Sequence, residues 1–195
     1  MPFRLQYLND IALVVNPYPA APIARIRQIY GTARRGAITA ALANQLWVTH
    51  LQPVYAGLAM LPVMQPAFDA VSIQTTLAME ATLVAAGRGG FGIAQKILNL
   101  FLKDLWAFNM IPPGVEPHLH VPIDRGVLSR LNAVPGTWDP WTLAVAGMAA
   151  SPTVIDYLGI QNLYRQWWAN PAAPGVSPPL FLTLIEMEQF LWHSL

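Results

Sequence analysis

The sequence predicts an all-α protein. Apolar residues recur at intervals of three and four rather than two, and Ala, Leu, Gln and Met outnumber clusters of β-branched residues. Hydrophobic residues make up 54% of the 195 positions and charged residues only 11%, which excludes intrinsic disorder and a heavily charged coiled coil. A chain of this length can fill one core, so a single helical domain is expected, with 87–132 as one lobe and 1–86 plus the C-terminal helices as the other.

Taken in order, Pro17, Pro19 and Pro22 make an irregular lead-in to a helix over residues 23–35, which Gly36 should stop. A second helix is expected over 38–51, ending before Pro53. Residues 53–66, with Pro53, Pro62 and Pro66, read as loop or broken helix because proline cannot continue the hydrogen-bond ladder. A long third helix spans 68–86. The run Gly87-Arg88-Gly89-Gly90-Phe91-Gly92 then opens a strongly periodic helix over 93–109, which Pro112 and Pro113 end. After a loop holding Glu116, His118 and His120, Pro122 leads into a short helix over 124–132 with Asp124 at its N-cap. Helices over 153–169 and 180–193, joined by a Pro-rich connector, complete the chain. There is no internal repeat.

The absence of cysteine removes disulfides, thiolate metal sites and a cysteine nucleophile. The apolar run at residues 11–15 is too short for a signal-peptide core, and no uninterrupted stretch of 18 apolar residues occurs. A cytoplasmic protein with no membrane partner is expected. Charge is unevenly placed: residues 1–100 carry seven bases against three acids, and the remainder four against seven. An anionic partner such as nucleic acid would meet the first half, unless that face is simply solvated.

No Walker loop, nucleophile elbow or H-E-x-x-H pattern occurs. His118 and His120, two apart and followed by Asp124, offer two imidazoles and a carboxylate to a metal, but a further ligand has no motif, and neither metal nor cofactor is expected. Glu186 and Glu188 are two apart on a helix and point in different directions, which argues against paired acid and base work.

The informative stretch is residues 89–131, GGFGIAQKILNLFLKDLWAFNMIPPGVEPHLHVPIDRGVLSRL. A Gly-rich turn runs into a lysine-bearing helix, and Val121-Pro122-Ile123-Asp124 opens the next one. This order resembles the helix-hairpin-helix DNA glycosylase superfamily. With 28 residues from Lys96 to Asp124 and a terminal apolar helix ending in Leu191-Trp192, it is most similar to the archaeal 8-oxoguanine glycosylase branch. It is also similar to small bacterial proteins that carry Q-K-x-x-N-L-x-L-K-x-L-W followed by P-x-D. The pattern covers about a quarter of the chain. It departs from the family in one place, because Lys96 follows Gly92 by four residues where the family's lysine follows its second glycine by two.

The resemblance implies a helix-hairpin-helix fold of two helical lobes around a cleft, acting as a monomer on double-stranded DNA. It implies a DNA base-excision glycosylase, with or without an AP-lyase step, in which Lys96 attacks the sugar and Asp124 moves protons or stabilises developing positive charge. Lys103, seven residues on, is the substitute nucleophile. Gly89, Gly90 and Gly92 would let backbone amides approach a phosphate, and Arg34, Arg35, Arg88 and Arg125 would supply charge. Phe91, Gln95, Asn99, Trp106 and Trp192 are the candidates to receive an extruded base. The competing reading is a non-catalytic helical DNA-binding or protein-interaction module on the same fold. Each residue also has a plain structural role open to it: Asp124 as an N-cap, Lys96 and Lys103 as solvated helix-face groups, Trp106 as core.

Overall fold

The computed structural model describes residues 2–29, 38–123, 154–169 and 183–193, and among these all regular structure is helical. The expected helix over 124–132 lies outside the described residues, as do Gly36 and the Pro-rich connector.

The chain opens with a helix that the periodicity did not indicate, α1 (Pro2–Asp10). It ends in a Schellman turn: Leu13 N–H donates to Leu8 O and Ala12 N–H to Asn9 O, with Ala12 at φ 52° in the left-handed region that usually takes glycine. Helix α2 (Pro22–Ile29) starts on proline, whose missing N–H is one the first turn would leave unpaired in any case. Helix α3 (Ala40–Leu46) is capped by Thr39, whose hydroxyl accepts from Leu42 N–H at 3.2 Å.

Pro53 does not stop the second helix. A π-helical turn at Trp47–Leu51 follows α3, with Gln52 N–H donating to Trp47 O, and the chain continues as α4 (Gln52–Ala56) with Pro53 in its first turn. The wider turn resets the ladder where proline has no N–H to give and needs room for its ring. A short 3-10 turn at Leu58–Met60 precedes the long α5 (Gln65–Ala85). Pro66 falls in the first turn of α5, so that helix begins earlier than expected.

Helix α6 (Phe91–Ala107) is the axis of the molecule. It packs against α1, α2 and α5, and most of its residues are buried, including four polar ones: Gln95, Asn99, Lys103 and Asp104. It ends in a second Schellman turn, with Asn109 at φ 57° and Met110 N–H donating to Leu105 O. Helices α7 (Val154–Ala169) and α8 (Leu184–His193) pack on each other, and α8 also packs on α1. The buried apolar side chains form one continuous cluster from Tyr7 to Met187.

Two buried ionic groups sit on the C-terminal half of α6. The Asp104 carboxylate accepts from Tyr7 Oη and Tyr18 Oη, both at 2.6 Å, and from Arg25 Nε and Nη2 at 2.7 and 2.8 Å. Burial first, then the Asp104 charge and hydrogen bonds, push both tyrosines well above their ordinary range, so they donate as neutral phenols. Lys103 pairs with Glu188 of α8, and its ammonium lies 4.5 Å from the centre of the Tyr7 ring. Both members of that pair are buried.

Candidate functional site

The α5–α6 hairpin is built by its glycines. Gly87 (φ 68°) closes α5 in a Schellman turn, with Arg88 N–H donating to Leu83 O at 2.8 Å and Gly87 N–H to Val84 O at 2.9 Å. Gly89 (φ 48°) then turns the chain into α6, and a side chain there would run into Ile93. The first amide of α6 is already engaged: Phe91 N–H donates to the Glu80 carboxylate at 2.7 Å. A carboxylate thus occupies the helix end that the Gly-rich turn was expected to offer to a phosphate.

Lys96 lies half-buried in the N-terminal half of α6. Its neighbour Gln95 points inward and grips the extended segment 119–123. The Gln95 Nε2 donates to Ile123 O at 2.8 Å and to Gly92 O at 3.0 Å, while its Oε1 accepts from Ile123 N–H at 3.3 Å. One turn on, Asn99 Nδ2 donates to Gln95 Oε1 at 3.0 Å and stands 3.3 Å from Val121 O. Gln161 of α7 repeats the two-point pairing, accepting from Val121 N–H at 3.1 Å and donating to Val121 O at 2.8 Å.

The same segment is held from its other side through His120. Its Nε2 stands 2.7 Å from Asp69 Oδ1, and its Nδ1 stands 2.7 Å from Tyr157 Oη, which in turn lies 2.9 Å from Asn99 Nδ2. Burial works against the Asp69 charge. Hydrogen bonds from His120 and Gln65, the charge of His120 and a hydrogen bond from Arg165 outweigh that cost and hold the carboxyl at about 2. Burial holds His120 below its ordinary value despite its bond to Asp69, and Arg165 acts in the same direction as burial. At neutral pH the wiring therefore has one solution. Ionised Asp69 can only accept, so His120 carries its proton on Nε2, Tyr157 donates to Nδ1, and the Tyr157 oxygen accepts from Asn99. Burial also raises the Tyr157 phenol, which keeps it protonated.

This carboxylate, imidazole and phenol are in series, but Tyr157 and His120 are both fully enclosed. Phe91 and His120 each present an edge-to-face contact to the Tyr157 ring, at 5.3 Å between centres. The series joins α5, α7, α6 and the segment 119–123 in one network.

Of the residues singled out in the sequence, Asp124, Arg125, Arg34 and Arg35 lie outside the described residues. Trp192 falls in α8. Arg88 and Gly90 are half-buried, and Gly89 is exposed at the turn. Phe91, Gln95, Asn99 and Trp106 belong to the interior rather than to a surface pocket. The Gln95 amide and the Asn99 Nδ2 are spent on the protein itself, the Asn99 Oδ1 is buried with no hydrogen-bond partner among the described residues, and Trp106 lies beneath the Arg4 guanidinium at 4.9 Å. Lys103, the substitute nucleophile, is buried in its pair with Glu188. His118 turns to Val63 O and Gln65, His120 to Asp69 and Tyr157, and no three metal-ligating groups converge among the described residues. Among those residues, too, no helix is long and apolar enough to cross a membrane.

Sequence reading did not single out Asp69, Tyr157, Gln161 or Arg165. A signal for part of the network was present: Gln95, Asn99 and Lys103 recur every fourth residue within an otherwise apolar helix, so one polar stripe had to be buried and satisfied. The chain matches no protein-family model, no curated protein and no solved structure.

Proposed function

We propose that the protein is a DNA base-excision glycosylase of the helix-hairpin-helix kind, two helical lobes around a cleft, with Lys96 as nucleophile and Asp124 as the assisting carboxylate. One observation carries the reading. The Gln95 side chain pairs with both the N–H and the C=O of Ile123, which ties the residue before Asp124 to the residue before Lys96. That tie supports the convergence of amine and carboxylate that the chemistry requires.

In the reaction the neutral amine of Lys96 attacks the sugar C1′ of an extruded nucleotide and the C1′–N bond breaks. The base departs with the bonding pair and takes up a proton. Opening of the sugar ring leaves a Schiff base on Lys96, and Asp124 stabilises the positive charge that develops and shuttles the protons. The double-stranded DNA is held as a complex with one copy of the chain.

Borohydride trapping on duplexes carrying 8-oxoguanine, uracil or an abasic site tests this. The wild type should give a covalent adduct that is lost in Lys96→Gln, and Asp124→Asn should slow its formation. No adduct and no base release on any substrate would refute it. A second reading, a non-catalytic helical module, is favoured by the Glu80 carboxylate that closes the start of α6. It predicts binding to intact duplex that is indifferent to Lys96→Gln.

A further inference from the structure

Helix α5 has two sides built for packing. One enters the core through Phe68, Met79 and Leu83. The other is exposed: Ala67, Ala70, Gln74, Leu77, Ala81 and Val84 recur at alternating intervals of three and four, a heptad seam in which Gln74 is the polar member. Leu77 and Val84 keep 42% and 57% of their surface in solvent. The two charged residues of the helix stand off the seam, Asp69 bound to His120 and Arg165 and Glu80 to Phe91 N–H. The solvent side of a globular helix ordinarily carries charge, and a seam about 26 Å long without any marks a surface with a partner.

We infer that this seam is the interface of an antiparallel pair of copies, α5 against α5 about a two-fold axis. Heptad spacing asks for a second helix of the same spacing, crossing at about 20°. Among the described residues no other helix exposes an apolar heptad. The solvent sides of α2, α3 and α7 carry Arg27 and Gln28, Asn44 and Gln45, and Asn162 and Gln166. A second copy supplies the matching seam, and a two-fold brings the same patch to itself.

The direction follows from size and charge. In an antiparallel pair Val84 of one copy meets Ala67 of the other, Ala70 meets Ala81, and Leu77 meets Gln74. A parallel pair would instead stack Ala on Ala in three layers and bring the two Arg88 side chains, just past the helix, toward each other. Antiparallel helix dipoles also attract. A standard interface takes about 800 Å² from each copy. One helix face about 26 Å by 10 Å falls short of that, so the pair is weak, with a dissociation constant of about 10–100 μM. The Gly-rich turns then lie at opposite ends of the pair and each copy keeps its own duplex, so the inference does not rest on the glycosylase reading.

Sedimentation velocity on the full chain across about 1–500 μM, a range that brackets this constant, should show monomer passing to dimer. Leu77→Glu changes a side chain that is already half in solvent, so the single copy should fold as before. Association should weaken by about 100-fold, because a charge is shut into the seam. Gln74→Leu should tighten it by about tenfold, since an apolar residue replaces the polar one. The chain has no cysteine, so introduced thiols report the direction. An equimolar mixture of Ala70→Cys and Ala81→Cys chains should form a mixed disulfide on mild oxidation, while neither variant links to itself.

A monomer at every concentration, or a dimer indifferent to both Leu77→Glu and Gln74→Leu, would overturn the inference. Self-linking of Ala70→Cys would overturn the antiparallel arrangement. A monomer that sediments with phosphatidylcholine vesicles, and no longer does so as Leu77→Glu, would overturn the pair and give the seam to a lipid surface.

Discussion

Replacing Lys103 by Met removes the ammonium that pairs with Glu188, in a site where both side chains are almost wholly out of solvent (2% and 0% exposed). The Glu188 carboxylate then stays buried without its cation, and breaking a buried pair in this way costs about 3–5 kcal/mol. The loss of the contact with the Tyr7 ring adds to that. Against a total stability of about 5–15 kcal/mol this is a large fraction. With an m-value of about 2 kcal/mol per molar urea, the unfolding midpoint should fall by roughly 2 M. Glu188→Met should cost a similar amount by stranding the ammonium. The double variant Lys103→Met/Glu188→Met fills the same volume with apolar groups and should return close to wild type. The assay is urea denaturation followed by circular dichroism across the four proteins, read as a double-mutant cycle. Additive single effects, or a cost under about 1 kcal/mol for Lys103→Met, would refute the reasoning, since either means that the pair is solvated. The same variant bears on function: Lys103→Met, where folded, should keep the borohydride adduct, because this lysine lies in the core.

The two left-handed glycines of the hairpin should respond differently to alanine. Gly87→Ala meets open space and should lose about 1–2 kcal/mol in a urea melt from its backbone conformation alone, whereas Gly89→Ala adds a collision with Ile93 and should lose more. Equal losses would show that the turn relaxes around Ile93. Stability should also decline in two stages on acidification. His120 is held below its ordinary value in the folded state, so the unfolded chain binds its proton first and stability falls as the pH drops below about 6.5. Asp69, held at about 2 when folded, contributes stability that is intact above its ordinary value near 3.8 and is lost as the pH falls from there toward 2. That second stage amounts to roughly 1–2 kcal/mol after allowance for its partial exposure to solvent. Melts from pH 8 to pH 2 on wild type and His120→Gln check the order, and a first stage that survives in His120→Gln would contradict it.

The helices from 68 to 107 were legible because their periodicity is long and the glycines between them mark the turn, whereas Pro66, read as the end of a loop, stands in the first turn of α5. Three things were not. Helix α1 has its apolar and polar residues mixed around its circumference, and its reasons for being helical lie in α6 and α8, far along the chain. The passage through Pro53 depends on a π turn that no propensity encodes. The partners of His120 come from positions 51 and 37 residues away, so nothing in its neighbourhood in sequence could reveal whether it faces a metal, a carboxylate or a phenol. For the candidate site, the lysine-bearing helix was legible in the sequence, whereas Asp124 of the V-P-I-D element lies outside the described residues. The glutamine pairings to Val121 and Ile123 could not be read, because a buried Gln and a surface Gln are written with the same letter.

The buried ions also change the meaning of the charge asymmetry. Of the seven bases in the first hundred residues, Arg4 and Arg25 face inward, paired with Glu116 and Asp104 from the acidic half. The excess of bases in one half of the sequence and of acids in the other is thus partly an internal neutralisation across the core. Among the described bases of that half, Arg27, Arg88 and Lys96 are those that reach solvent at least in part. A glycosylase with so few outward cations on these elements would make few phosphate contacts through them, and affinity would fall gently with salt on their account. Its discrimination would then rest on how the lesion enters the site and how firmly Lys96 and Asp124 are held to receive it. On the proposed reading, the ions buried along α6 would serve to hold Lys96. A helix locked by Arg25–Asp104 and Lys103–Glu188 at one end, and by the Gln95 and Asn99 amides at the other, cannot rotate to suit a substrate, and Lys96 is carried on its face.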